Sequence, residues 1–379
     1  MSEEYPAPSD AATSSADDAD VPEAVRSGWR PSVKHIVMSA LSLVLAAVLV
    51  VVVVPRAAGA NWSDSFAVLG QLSVKDIILM TLFWALGLWM YTFVYTGSLP
   101  GLTHSKGLAL NLTGSLVSNL LPFGGAAGVA TTYGLTYAWG FSGLATSLMI
   151  LVSGLANFLI RLLLPVVGLV ALFFTGVKLS GAGGDVALGT LGGLAVITMA
   201  LILMLFSSTV AALLGSLGDL LVRGLCRVLR RPTPKQSLRD GAVKMQGTAV
   251  VVIRRGWPSI AFGMCAYYGS EIILFGIALH GLGSDIGWAG VVAAFALSRL
   301  LTAVVVTPSG VGISEAGTAG ALVLFGVPPA IATAAVIVLL VYTYLIELPT
   351  GAAGWIWVIA MRKRWFKRGF HRAQSSPQE

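Results

Sequence analysis

Apolar residues in this chain do not alternate with polar ones; they come in blocks. The first runs from Ile36 to Val54, and a second covers about 74–97. Two shorter blocks follow at about 107–121 and 127–140, separated by Pro122-Phe123-Gly124-Gly125. A long run at about 145–176 encloses Arg161 and Pro165, and another covers about 186–208. Beyond residue 257, apolar runs occupy about 258–281, 286–306, 312–326 and 329–361, the last enclosing Pro349. A helix needs about 20 apolar residues to cross a hydrocarbon core of about 30 Å. Lipid offers no partner to backbone N–H and C=O groups, so a spanning segment must satisfy them itself. The valines of Val50–Val54 have strand propensity, yet they sit inside a spanning-length block where a helix closes its own hydrogen bonds. The pattern predicts an all-α polytopic membrane protein with about 8–10 membrane segments.

Composition agrees, and charge adds orientation. The chain of 379 residues is 56% hydrophobic and 11% charged, with mean hydropathy +0.84, which leaves too little charge to clothe a soluble globule. Nine Lys and Arg residues fall between Ser208 and Pro258, six more follow Met361, and Arg26, Arg30 and Lys34 precede the first block. Arg56, Lys75 and Lys178 stand alone in short connections. The positive-inside rule therefore places both termini and the segment 209–257 in the cytoplasm. That segment mixes Leu/Val faces with Arg and predicts amphipathic helices on the inner membrane surface. The net charge of +7 is thus a topology signal, and nucleic acid is not an expected partner. Residues 1–32, rich in Ala, Ser, Asp, Glu and Pro, read as a disordered tail, 33–365 as the transmembrane domain and 366–379 as a second tail. With two cysteines, four scattered histidines and no HxxxH or CxxC spacing, no metal or cofactor is expected. No P-loop, Ser/His/Asp or Cys/His constellation occurs, so neither ATP use nor catalysis is expected.

An internal repeat changes the picture further. At the offset that carries Gly140 onto Gly326, 186 residues, Pro122 falls on Pro308 and Gly124 on Gly310. The triplet Leu159-Ile160-Arg161 falls on Leu345-Ile346-Glu347, each preceded by an aromatic residue. Repeat one covers about 74–176 and repeat two about 258–361, joined by a linker span at 186–208. With the N-terminus inside, the first span of repeat one runs out-to-in and its counterpart in-to-out, so the repeats are inverted. Inverted repeats carrying broken or re-entrant helices are the pattern of secondary transporters, whose substrate site lies near the midplane.

Five ionisable residues stand inside apolar runs: Arg161, Glu271, Arg299, Glu315 and Glu347. Each costs roughly 2.5–3.5 kcal/mol at the centre of a spanning helix unless it meets water or a partner. Guanidinium groups bind phosphate as a planar fork, so Arg161 and Arg299 are candidates for a phosphodiester. Glu271, Glu315 and Glu347 could meet a cationic headgroup or carry a coupling proton. A structural ion pair between Arg161 and Glu347 stands beside that reading. The helix-break motifs are Asn119, Pro122, Gly124 and Gly125 in the first repeat, and Thr307, Pro308, Gly310 and Gly312 in the second. Their freed amides add partial positive charge beside new helix N-termini. Gly124 to Gly128 equally permits close helix contact, and Asn111, Asn119 and Thr307 could satisfy backbone groups at the breaks.

These two motifs carry a resemblance. Asn119-Leu-Leu-Pro122-Phe-Gly-Gly, followed by Thr307-Pro308-Ser-Gly310-Val-Gly312-Ile-Ser-Glu315-Ala, resembles the lysylphosphatidylglycerol synthase/flippase transmembrane family, across about residues 35–365. Ser309 stands where a glycine is usual, and Ala127 and Val129 stand where many members carry Gly-Glu. The resemblance implies a flippase-like module in the bacterial inner membrane. Such a module moves an anionic phospholipid or polyprenyl-phosphate-linked lipid between leaflets. The family's full-length resistance factor also has a soluble aminoacyl-transfer domain, which is not expected here because the chain ends about 18 residues after its last span. The alternatives are a membrane-embedded lipid-modifying enzyme, an accessory subunit of a cell-envelope glycosyltransferase, or a scaffold acting through the basic loop.

Overall fold

The computed structural model describes residues 59–120, 124–174, 238–301 and 313–365, with a few single positions elsewhere, and every regular element among them is helical. In chain order these are α1 (Trp62–Leu69), α2 (Val74–Ser98), α3 (His104–Leu120), α4 (Gly124–Ala138) and α5 (Gly143–Phe174). Next come α6 (Leu238–Gly281), α7 (Trp288–Leu301), α8 (Ile313–Leu324), α9 (Pro329–Leu340), a π-helical turn at Val341–Leu345, α10 (Glu347–Ala360) and α11 (Arg362–Trp365). The tails at 1–32 and 366–379 lie outside the described residues, as do Pro122, Thr307, Pro308, Gly310 and Gly312. So, apart from single positions, do the linker span at 186–208 and the basic segment up to residue 237.

Local chemistry explains where helices start and stop. Ser73 caps α2: its hydroxyl accepts from the Asp76 amide at 3.2 Å while the Asp76 carboxylate accepts from the Ser73 amide at 3.1 Å. α4 and α8 end alike, at Gly140 (φ 88°) and Gly326 (φ 87°), left-handed positions that glycine adopts without a Cβ penalty. Behind each, an amide reaches back over the turn, Phe141 to the Thr136 carbonyl and Val327 to that of Leu322, both at 3.0 Å. Pro349 suggests a break within the last span, but it sits in the first turn of α10, where a missing N–H is tolerated. The irregularity lies one turn upstream, where the Ile346 amide bonds to the Val341 carbonyl at 2.9 Å and opens the π turn.

Four segments are long and apolar enough to cross a membrane: Val74–Ser98, Gly143–Gly168, Val250–Gly281 and Pro329–Ala360. Their exposed faces are apolar, as along Ile78, Leu82, Leu86 and Trp89 of α2, which suits contact with lipid. The chain is a multi-pass integral membrane protein. α7 has 14 residues, a rise of about 21 Å, less than the hydrocarbon core.

Glycines set the helix packing. α2 and α6 run antiparallel: Gly97 meets Gly256, Gly263 meets Met90 and Val94, Gly87 meets Ser270, and Gly281 meets Leu72 and Asp76. Ser259 also donates its hydroxyl to the Phe93 carbonyl at 2.8 Å. These contacts hold α6 continuous through residues 257 and 258, where the sequence pattern divides basic segment from span, despite Pro258 inside the helix. Elsewhere the halves exchange partners. α5 lies on α7, with Gly168 against Ala293, and α10 lies on α3, with Gly354 against Leu112. The main apolar core gathers Met80, Phe275, Phe295 and Leu322 between these helices.

A Cβ added at Gly263 would lie 2.9 Å from the Met90 carbonyl and from Val94, whereas one at Gly269 meets nothing within 4 Å. Gly263→Val should therefore destabilise the detergent-solubilised protein by about 1–3 kcal/mol, read as a fall in Tm. Gly269→Ala should raise stability by up to about 1 kcal/mol through helix propensity.

Candidate functional site

The depth of the intramembrane charges follows from helix register. Gly87 sits near the centre of α2 and abuts Ser270, so Glu271, one residue on, lies near mid-span. Arg161 is near the middle of α5, and Tyr344 and Glu347 are near the middle of 329–360. Arg299 occupies the last turn of α7, and Glu315 the first turn of α8.

Arg299 and Glu271 form an ion pair, Nη2 to Oε2 at 3.0 Å, with each side chain 12% exposed. The guanidinium also lies over the Phe295 ring, 4.7 Å from its centroid. Arg161 donates its Nε to Asn157 Oδ1 at 3.0 Å and to the Tyr268 hydroxyl at 3.2 Å, and Tyr268 itself donates to Asn157 at 2.8 Å. Glu347 accepts from the Asn119 side-chain amide at 2.8 Å. Asn119 is thus a carboxylate partner. Glu315, 8% exposed, faces a cavity of about 20 Å³ that it lines with Ser298, Arg299, Ser314, Thr318 and Tyr344. That volume holds about one water.

Tyr344 joins Arg299 and Glu315 in lining that cavity. Glu271, Arg299 and Glu315 are thus brought together by α6, α7 and α8, while Arg161 of α5 meets Tyr268 of α6 and Glu347 of α10 meets Asn119 of α3. Gly124 and Gly128 are placed differently. Both press against Ser118 of α3, a close helix contact, while Gly125 faces open space. Asn157, Tyr268 and Tyr344 escape a search for charges because they are neutral. Asn157 was nevertheless within reach of a helical rule, four residues before Arg161 on the same face. Tyr344 is singled out only by its place in the π turn and in the lining of that cavity.

Residues 39–351 match the family model described as Lysylphosphatidylglycerol synthase TM region. No curated protein matches the chain.

Removing one partner of the Arg299–Glu271 pair leaves a buried charge uncompensated. Arg299→Ala should cost about 3–5 kcal/mol of stability in detergent. Adding Glu271→Ala should restore part of that loss in a double-mutant cycle, and strictly additive losses would show the pair to be uncoupled.

Proposed function

Because the chain belongs to the lysylphosphatidylglycerol synthase transmembrane family, we propose that it moves a phospholipid or polyprenyl-phosphate-linked lipid between leaflets, as a transporter and not an enzyme. The observation that carries this reading is the meeting of Glu271, Arg299 and Glu315 near mid-span, with Arg161 joined to them through Tyr268, which packs on Phe295 beneath Arg299. Five charges at that depth are a heavy cost for a protein that only needs to pack. They suit a headgroup that must leave water to cross. In this reading Arg161 and Arg299 receive the phosphate, while Glu271, Glu315 and Glu347 meet a cation or a coupling proton. The acyl tails stay in the bilayer beside the exposed apolar faces.

Inverted repeats at about 74–176 and 258–361 are the architecture that goes with this function. Three observations support them. α2 and α6, equivalent under the 186-residue offset that relates Gly140 to Gly326, pack antiparallel. α5 packs on α7 as α10 packs on α3, through Gly168 and Gly354, which the same offset relates. The end of α4 and the start of α5, at Ala138 and Gly143, reappear under that offset as Leu324 and Pro329, the end of α8 and the start of α9. The cavity at Glu315 is too small for a headgroup, so this conformation is closed and transport requires the two repeats to move against each other. Cytoplasmic placement of both termini follows from the bases after Met361 and in the 209–257 segment.

The test is leaflet exchange of acyl-labelled fluorescent phosphatidylglycerol in proteoliposomes, read by dithionite quenching. Arg299→Lys keeps the charge but loses the planar fork, and Glu315→Gln keeps the shape but loses the charge. Each should slow exchange by about tenfold or more at unchanged Tm, the scale of one charge-assisted hydrogen bond. Wild-type rates in both variants would remove the reading.

A further inference from the structure

We infer that a row of tyrosines, Tyr95, Tyr91, Tyr267 and Tyr268, is the track by which a lipid phosphate travels from one membrane face to the central charges. The inference rests on the transport reading above and adds the route. Tyr95 lies in the last turn of α2 and Tyr91 one turn deeper, their rings 5.0 Å apart. Tyr91 meets Tyr267 of α6 at 5.2 Å, and Tyr267 meets Tyr268 at 5.0 Å. Tyr268 then touches both arginine sites: its hydroxyl accepts from Arg161, and its ring abuts Phe295, which lies beneath Arg299.

The dimensions fit half a bilayer. Tyr95 and Gly87, which marks the level of Glu271, are separated by eight residues of helix, a rise of about 12 Å against a half-core of about 15 Å. The outer end of the row is basic. Gly97 packs against Gly256, which sets the exposed Arg254 and Arg255 at the level of the last turn of α2.

Packing alone does not call for hydroxyls here. Phe93 and Phe262 of the same two helices contact each other at 5.2 Å, and Phe262 is 54% exposed on the outer face. Hydroxyl-bearing rings are thus confined to one side of the α2–α6 crossing, and a hydroxyl within lipid is unfavourable unless partnered. Tyr95, Tyr91 and Tyr267 are partly buried and Tyr268 is buried, so the row narrows towards the central charges. The groups offered, tyrosine hydroxyls, the Asn157 amide and the Arg161 guanidinium, are donors, so the chemistry recognised is that of a phosphate. The 186-residue offset carries these four positions onto Gly281, Ile277, Thr81 and Leu82, which hold no aromatic row. The track therefore serves the basic face alone.

The experiment uses the full chain in vesicles of phosphatidylethanolamine and phosphatidylglycerol. One arm follows acyl-labelled phosphatidylglycerol exchange, and a second follows release of entrapped inorganic phosphate, which carries the same chemistry without the lipid. The triple variant Tyr91→Phe, Tyr95→Phe, Tyr267→Phe keeps every ring and should slow lipid exchange by about tenfold at unchanged Tm. Phe262→Leu, off the row, should exchange at the wild-type rate, and phosphate release should stay at the protein-free level throughout. A triple variant as fast as wild type, with Arg299→Lys still slow, overturns the track and leaves the transport reading standing. Phosphate release that the triple variant abolishes overturns the lipid as the source of the phosphate. Absence of exchange by the wild-type protein removes the transport reading and the track together.

Discussion

A guanidinium at mid-depth in a bilayer must be met by polar partners, and the Arg299–Glu271 pair fixes much of what surrounds it. The attraction offsets desolvation only when the two groups are held at hydrogen-bonding distance. That requires α6 and α7 to keep a constant relation. α6 is held by α2 through a ladder of glycines, and α7 is held by α5 at Gly168. Without a hydrophobic effect to bring helices together within lipid, close van der Waals contact at small residues does this work. The glycines and the ion pair are therefore parts of one arrangement: the backbone contacts give the charges their geometry.

Around that pair the remaining polar groups satisfy one another. Asn119 meets Glu347, Asn157 ties Arg161 to Tyr268, and Tyr344 lines the cavity of Arg299 and Glu315 from a π turn. Such a network is stable when complete and unfavourable when a member is removed. A ligand carrying both a phosphate and a counter-charge could replace these contacts as it enters, which is how we picture the closed cluster opening to a lipid. The π turn is one place where helix register could change, because its wider ring is a local departure from the i→i+4 pattern.

Part of this was legible along the chain. Long apolar runs imply helices because lipid leaves backbone groups no other partner, and α2, α5 and the span 329–360 fall within a few residues of the expected blocks. The five charged positions were legible for the same reason, since a charge in such a run stands out. Pro349 misled, because proline at a helix start is harmless and its effect passes to the preceding turn. The division expected between the segment 209–257 and the run from 258 is absent, since contacts with α2 carry α6 straight through Pro258.

The sequence by itself determined that this is a helical membrane protein and that five intramembrane charges need an explanation. Those properties depend on composition, period and local stereochemistry, which each segment carries alone. Only the tertiary structure decided which charge meets which: Arg299 with Glu271, Glu347 with Asn119, and Arg161 with the neutral pair Asn157 and Tyr268. Those choices join residues as far apart as Asn119 and Glu347, and no local rule encodes them. They depend on where glycines let helices approach, and so on the packing of the whole bundle.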